Sequence, residues 1–115
     1  MRRRFLFAKI QGVRVTEVRP EYEGSLGLDT ELLERSGIRP YEVVQVINQT
    51  TGVRFETYVI PLERGSGGVG LYGGAARLGQ PGDFLIILCE AEMEEEEAQD
   101  WQPRVLLCGE GNRPR

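Results

Sequence analysis

Residues 43–60 read VVQVINQTTGVRFETYVI and predict an antiparallel pair of β-strands. The segments 43–47 and 53–60 are rich in β-branched and aromatic residues, which favour extended backbone. The polar residues 48–52 between them end in glycine, as hairpin connections often do. This hairpin indicates a β-rich fold.

The segments on either side of the hairpin are also rich in residues that favour β-strands. Four more runs of β-forming residues, bounded by glycine or proline, predict further strands: 5–10, 13–18, 84–89 and 104–108. The run 84–89 is apolar throughout, which is typical of a strand buried on both faces. Many short strands with little helix predict an all-β fold, a small closed β-barrel.

Helix is predicted in only two places. Residues 29–37 begin with an aspartate N-cap and end in glycine. Residues 94–101 predict a second short helix, with Trp101 packing back on the fold and the acidic run 94–97 facing solvent. The polar C-terminal residues 109–115 are expected to fray.

The composition excludes several classes of site. The chain has 115 residues, a net charge of −4 and no histidine. Ser-His-Asp and Cys-His machinery and His-ligated metals are therefore excluded. Two cysteines cannot form a four-thiolate metal site. Cys89 and Cys108 lie in apolar runs, which favours buried reduced thiols over a disulfide or a redox pair.

The same composition gives expectations about partners and location. An acidic balance without a basic patch argues against nucleic acid as the main partner. No apolar stretch approaches the roughly 20 residues of a membrane span. The apolar region after Arg4 is too short for a signal peptide. We therefore expect a soluble cytoplasmic protein, and because a chain of this size buries only a modest core, an oligomer.

Gly24-Ser25 is the first place where chemistry without histidine is conceivable. A serine hydroxyl can attack the carbonyl of its own preceding peptide if that bond is held strained, and a glycine on the acyl side permits a positive φ. The ester can eliminate to dehydroalanine, which hydrolyses to a pyruvoyl group. Such a ketone can form a Schiff base with an amine and act as an electron sink. Gly-Ser is also a common turn dipeptide.

Two side chains of the hairpin fit such chemistry. Arg54 and Tyr58 lie four residues apart on a predicted strand and therefore share a face. Arginine binds carboxylates bidentately, and a tyrosine can deliver a proton after carbon dioxide leaves. Thr57 faces the opposite side on strict alternation. The plainer interpretation of Arg54 and Tyr58 is a solvent-facing pair on a half-exposed strand.

A glycine-rich stretch at 64–76 is the other unusual segment. It is not a phosphate-binding loop, because no Gly-Lys-Ser/Thr follows. It indicates tight turns in a crowded barrel, where only glycine fits.

Several motifs together resemble those of the pyruvoyl-dependent aspartate 1-decarboxylase family, which makes β-alanine. In order and spacing they are AKI at 8–10, YEGS at 22–25, RFETY at 54–58, ERGSG at 63–67, GGAA at 73–76 and PGD at 81–83. The similarity runs from about Arg4 to Pro103, nearly the whole chain.

The resemblance implies a fold, an assembly and a reaction. The fold would be a six-stranded double-psi β-barrel with short helices, assembled as a homotetramer with its sites between subunits. The single domain 1–115 would cleave itself into 1–24 and 25–115. Ser25 would become a covalently bound pyruvoyl group, without metal or pyridoxal phosphate. The reaction would convert L-aspartate to β-alanine and carbon dioxide, towards pantothenate and coenzyme A.

The resemblance also implies roles for individual residues. Ser25 and Tyr58 would be catalytic, with Tyr58 as the proton donor. Gly24, Ser25 and Thr57 would act in processing. The substrate-binding residues would be Lys9, Arg54, Thr57, Gly73, Gly74 and Ala75.

Two positions depart from the usual family pattern. Gln11 stands where the family usually has histidine, and Tyr72 where it usually has asparagine. Glutamine forms hydrogen bonds but does not titrate near neutral pH. With Gly74, these residues leave two alternatives open: a related decarboxylase for another small amino acid, and an uncleaved, non-catalytic binding module. A helper protein that triggers processing is a further possibility.

Overall fold

Strands dominate the computed structural model, which describes all 115 residues. In chain order they are β1 (Arg2–Arg14), β2 (Glu17–Arg19), β3 (Ser25–Asp29), β4 (Val43–Asn48), β5 (Arg54–Leu62), β6 (Val69–Tyr72), β7 (Phe84–Glu94) and β8 (Arg104–Leu107). The helices are α1 (Thr30–Ser36) and α2 (Glu95–Ala98), with 3-10 turns at Gly73–Leu78 and Glu110–Asn112. No helix is both long and apolar enough to cross a membrane.

All eight strands belong to one sheet, in the order β2-β6-β3-β5-β4-β7-β1-β8. The all-β expectation is confirmed. The sheet has eight strands where the resemblance implied six, because the short strands β2 and β8 extend it at its two edges. Closure of the sheet into a barrel stays a prediction.

A single core of 20 buried residues is shared by strands across the whole sheet and by α1. Alternate residues of each strand enter it, such as Leu26 and Leu28 of β3 and Leu85 and Ile87 of β7. Within one chain, the expectation that 84–89 is buried on both faces is wrong. Every second residue of β7 is only half-buried or exposed, because its other face lies on the outside of the sheet.

The hairpin at 43–60 is confirmed as the antiparallel pair β4–β5, in which Val43 lies opposite Tyr58. Asn48, which is fully buried, closes its turn. Its Oδ1 accepts the backbone N–H groups of Thr50 and Thr51, both at 3.1 Å, and its Nδ2 donates to Asp83 at 2.9 Å. A buried amide with all its partners supplied locks the turn against the next loop.

The segments 5–10 and 13–18 were predicted as two strands, but the first continues through Gly12 as the long strand β1. Gly12 has a φ of +90°, and the register with β7 shifts there. A Cβ at Gly12 would lie 2.4 Å from the Cys108 carbonyl oxygen, so only glycine fits. The bulge bends the strand without ending it.

The first predicted helix is confirmed as α1, and the second, α2, is shorter than predicted. Asp29 caps α1, and Gly37 ends it with a φ of +79°. The second helix has only four residues, yet Trp101 does pack back: its ring stacks on Phe7 at 5.3 Å and its Nε1 donates to the Leu6 carbonyl at 3.0 Å. Cys89 and Cys108 are buried and unpaired, as expected.

The C-terminal residues are anchored, and the expectation that they fray is wrong. Asn112 is buried, and its Nδ2 donates to the carbonyls of Arg14 at 3.0 Å and Gly67 at 2.8 Å. Its Oδ1 accepts the Arg14 N–H at 2.8 Å. These partners are distant in sequence, so local polarity gave no sign of them.

Asp29 gives a testable expectation about stability. Its carboxylate accepts the N–H groups of Glu31, Gly65 and Gly67 at 2.9–3.0 Å. Burial opposes the charge, but these donors outweigh it and hold the pKa of Asp29 below its usual value. Asp29→Ala should therefore lower the free energy of unfolding at pH 7 by about 3 kcal/mol, since buried donors lose a charged partner.

The pH dependence of this difference follows from the sign of the shift. A pKa lower in the folded than in the unfolded state stabilises above the unfolded value, and the contribution is lost as the pH falls through the folded one. Urea denaturation at pH 7 and in acid, at one protein concentration, should show the gap between wild type and Asp29→Ala closing in acid. Glu63→Ala, on the exposed loop that carries Gly65 and Gly67, is the matched control. Equal stability of Asp29→Ala and wild type at pH 7 would contradict this account.

Candidate active site

A cleft of about 520 Å³ opens on the outer face of the sheet at Ser25. Four tyrosines contribute to its walls. The residues that line it are Glu21, Tyr22, Glu23, Ser25, Tyr41, Tyr58, Ile60 and Tyr72.

Strand register places Ser25 between two of these tyrosines. β3 runs parallel to β5 with Leu26 beside Val59, so that one residue earlier Ser25 lies beside Tyr58. β3 also runs antiparallel to β6, where Ser25 lies opposite Tyr72. Leu26 and Val59 point into the core. Because side chains alternate along a strand, the residues that precede them in the chain, Ser25 and Tyr58, point outward into the cleft. The structure therefore brings Ser25 and Tyr58 together.

The Gly24–Ser25 peptide packs against the turn that follows β6. Gly73 has a φ of +64°, and a Cβ there would lie 2.5 Å from both the nitrogen and the Cα of Gly24. Gly24 itself does not have a positive φ, and a Cβ on it would be 3.8 Å from its nearest neighbours. The positive φ that a glycine would permit at position 24 is found instead at Gly73, where the close approach of two backbones requires it.

Ser25 is buried, with 2% of its surface exposed. Its Oγ donates a hydrogen bond to the Glu23 carbonyl at 3.3 Å. The hydroxyl thus lies against the segment that carries the peptide bond it would attack, and rotation about one side-chain bond redirects it.

Thr57 lies off this cleft. It pairs with Val44 across β4–β5 and alternates with Tyr58, so it is on the core-facing side of β5, as strict alternation predicted.

Gly73 meets Gly24 at the edge of the cleft, and a Cβ on Gly24 would be 3.8 Å from the Gly74 nitrogen. Ala75 is buried in the 3-10 turn behind them and contributes to the core.

Lys9 and Arg54 lie on the outer face of the sheet and do not line the cleft of their own chain. One row of paired residues runs from Lys9 through Leu88 and Gln45 to Glu56. Lys9 is therefore three strands from β5, about 14 Å away at ordinary strand spacing. Arg54 lies four residues before Tyr58, about 13 Å along β5.

This outer face is unusually apolar for a free surface. Ile47, Ile86 and Leu88 are only half-buried, and Val43, Val105 and Leu107 are 43–55% exposed. The pairing β1–β8 sets Val105 beside Lys9 and Leu107 beside Gln11. A continuous apolar surface with a few polar groups is typical of a protein interface.

Sequence reasoning gave no role to Tyr41, which forms part of the cleft wall. It has a φ of +73°, rare for a residue with a side chain. Its N–H donates to the Val59 carbonyl at 2.7 Å, and its ring centroid lies 6.4 Å from that of Tyr58. Such strain often marks a functional site. No local motif signals it.

Tyr72 turns its ring away from the Gly24–Ser25 bond. Its hydroxyl donates to Glu17 Oε2 at 2.7 Å, and Arg19 Nε donates to the other carboxylate oxygen at 3.0 Å. The hydrogen bond from Tyr72, and then that from Arg19, lower the pKa of Glu17, and burial with this bond raises the pKa of Tyr72. The hydrogen bond to Glu17 thus directs the Tyr72 ring towards β2.

A family profile described as aspartate decarboxylase matches residues 1–115. An aspartate 1-decarboxylase of Carboxydothermus hydrogenoformans is 52% identical over 105 residues, which is 91% of this chain and 83% of that protein. An aspartate 1-decarboxylase of Leptospira biflexa is 48% identical over 93% of this chain and 92% of its own length. An aspartate 1-decarboxylase of Acaryochloris marina is also 48% identical, over 98% of this chain and 86% of its own length. The chain belongs to the aspartate decarboxylase family.

Proposed function

We propose that this chain is a proenzyme that cleaves itself at Gly24–Ser25 and then decarboxylates L-aspartate to β-alanine and carbon dioxide, a step towards pantothenate. The position of Ser25 carries the proposal: it lies buried in the floor of a cleft, between Tyr58 and Tyr72. The names of the relatives support the choice of aspartate as substrate.

The cleavage step needs only groups of this chain and water. Ser25 Oγ attacks the Gly24 carbonyl carbon, the C–N bond breaks, and the hydroxyl proton goes to the released amine. Loss of a proton from Ser25 Cα then expels Gly24 as a carboxylate and leaves dehydroalanine. Water adds and ammonia leaves, so that residue 25 becomes a pyruvoyl group. The Gly73 turn, packed on Gly24, holds the peptide during these steps.

Decarboxylation uses the outward-facing residues of the cleft. The pyruvoyl carbonyl supplies an electron sink for an amine-bearing substrate. Tyr58, beside Ser25 on the same face, is placed to donate a proton to the carbon that carbon dioxide leaves. The Tyr41 ring lies near the Tyr58 ring, with 6.4 Å between the ring centroids.

The side-chain carboxylate of aspartate needs a cation, and the cleft of one chain has no basic residue in its lining. Lys9 and Arg54 lie instead on the apolar outer face. We propose that this face packs against neighbouring copies in a homotetramer, and that Lys9 and Arg54 bind the carboxylate in a neighbour's cleft. The site would then be complete only in the assembly.

An intact-mass spectrum of purified protein, fresh and after warm incubation, tests the proposal. Two species should appear, residues 1–24 and residues 25–115, the larger without a free N-terminal amine. The cleaved protein should release carbon dioxide faster from aspartate than from glutamate or neutral amino acids. A chain that stays at full length and forms no β-alanine would favour a binding module, unless an added cell extract restores cleavage, which would point to a helper protein.

Tyr58→Phe separates the two reactions. The variant should cleave itself as the wild type does, because Tyr58 is not needed to attack the peptide. Its kcat should fall about 100-fold or more, since the proton donor is lost. Intact mass and β-alanine production measure the two effects in one sample. Equal kcat values for the variant and the wild type would remove Tyr58 from the mechanism.

A further inference from the structure

Four side chains form a closed circuit of contacts around the segment that precedes Ser25. Tyr72 donates to Glu17 at 2.7 Å, and Arg19 donates to Glu17 at 3.0 Å. The Arg19 guanidinium carbon lies 5.3 Å from the Tyr22 ring centroid, and the Tyr22 and Tyr72 centroids are 5.6 Å apart. These four residues, here named the tyrosine clamp, join β2, β6 and the loop between β2 and β3.

Two glycines make room for the Tyr72 ring. Gly27 and Gly70 lie opposite each other in the β3–β6 pair. A Cβ at Gly27 would lie 2.7 Å from Tyr72 Cε2, and one at Gly70 would lie 2.3 Å from the hydroxyl oxygen. The ring rests on this glycine pair with 3% of the residue exposed, so its position is determined by the strands beneath it.

The clamp holds both sides of the bond to be cleaved. Tyr72 is the strand partner of Ser25, and the next residue, Gly73, packs on Gly24. Tyr22 lies two residues before Gly24, in a stretch whose residues are all exposed. The backbone bond from the Tyr22 N–H to the Arg19 carbonyl is long, at 3.2 Å. The contacts of the Tyr22 ring with Arg19 and Tyr72 add to the restraint on this loop.

We propose that Glu17 and Tyr72 are positioning residues for the self-cleavage. Their hydrogen bond closes the clamp, and the clamp keeps the Gly24 carbonyl within reach of the Ser25 hydroxyl. The inference rests on the proposed function and extends it to Glu17 and to Tyr72, which differs from the usual family residue at its position.

The test measures the cleavage rate by pulse–chase during cell-free synthesis, so that fast cleavage is followed from the start. Tyr72→Phe keeps the ring on its glycine pair and removes only the hydroxyl, and Glu17→Gln removes the charge that accepts it. Each should slow cleavage about tenfold or more, in line with the loss of a charge-assisted hydrogen bond. The double variant should be no slower than the slower single one, because both changes break the same contact. Glu97→Gln, exposed on α2, should cleave like the wild type.

The pH profile separates positioning from simple packing. The groups that face Glu17 are the Tyr72 hydroxyl from β6 and Arg19 on its own strand, and Arg19 is in turn near Glu21 at 4.0 Å. Protonation of Glu17 weakens the clamp, so wild-type cleavage should slow in acid. Tyr72→Phe already lacks the hydrogen bond that this protonation weakens, and Gln at position 17 cannot be protonated in this range, so the acidic decline should be absent from both variants.

The outcomes are distinct. Wild-type rates and an unchanged pH profile in Tyr72→Phe and Glu17→Gln would overturn the clamp and leave the self-cleavage standing. A wild-type chain that never cleaves would overturn both the clamp and the proposed function. Slower cleavage together with a lower melting temperature would count for the clamp only if the acidic decline also disappears from both variants, and against it otherwise.

Discussion

Ser25→Ala is expected to leave a stable chain of 115 residues that never cleaves and makes no β-alanine from aspartate. The substitution removes the attacking oxygen and the only precursor of the pyruvoyl group, so neither reaction can begin. It also removes the weak hydrogen bond from Ser25 Oγ to the Glu23 carbonyl. That loss costs at most about 1 kcal/mol, so the fold should persist.

The control for this variant is another serine of the chain. Ser66 is exposed on the loop before β6, where its Oγ accepts the Gly68 N–H at 3.1 Å. Ser66→Ala should cleave and decarboxylate like the wild type. Intact mass, melting temperature and β-alanine production report on all three proteins. Cleavage before residue 25 in Ser25→Ala, or decarboxylation without cleavage, would end the pyruvoyl proposal.

Co-expression of Arg54→Ala and Ser25→Ala chains is expected to restore activity that neither chain has alone. Arg54→Ala chains should cleave but bind aspartate poorly, since the carboxylate loses a bidentate partner. Ser25→Ala chains lack the pyruvoyl group but still carry Arg54. If each cleft takes Arg54 from a neighbour, random mixing in equal amounts completes about one site in four.

A second pair of chains is the matched control for this result. Lys9 and Arg54 lie on the same outer face and, in our proposal, serve the same neighbouring cleft. Co-expressed Lys9→Ala and Arg54→Ala chains should therefore stay inactive, because every cleft receives one defective residue. Assay of the mixed assemblies, separated by two affinity tags, gives the answer. If Arg54→Ala alone is inactive and mixing restores nothing, Arg54 acts within its own chain or outside the site.

The parts of the fold that were predictable have short-range causes. The β4–β5 hairpin follows from β-branched residues around a polar turn, and α1 from an aspartate and a glycine at its ends. The register of β4 with β5 then places Tyr58 outward. β3 and β6 escaped prediction because Gly27 and Gly70 weaken their strand signal. Gly27 and Gly70 leave space for the Tyr72 ring, and this relation can be seen only once the strands are paired.

For the candidate site too, part could be predicted from the sequence and part is visible only in the tertiary structure. Motif spacing in the chain was enough to place it in a family, to single out Gly24–Ser25 and to pair Arg54 with Tyr58 on one face. It could not show that Gly73 approaches Gly24, that Tyr72 bonds Glu17 at a separation of 55 residues, or that Lys9 and Arg54 lie away from the cleft of their own chain. Caps, turns and alternation act between neighbours in the chain, and a sequence displays them directly. Strand order and backbone approach depend on which distant segments share a core, and they exist only once the sheet has formed.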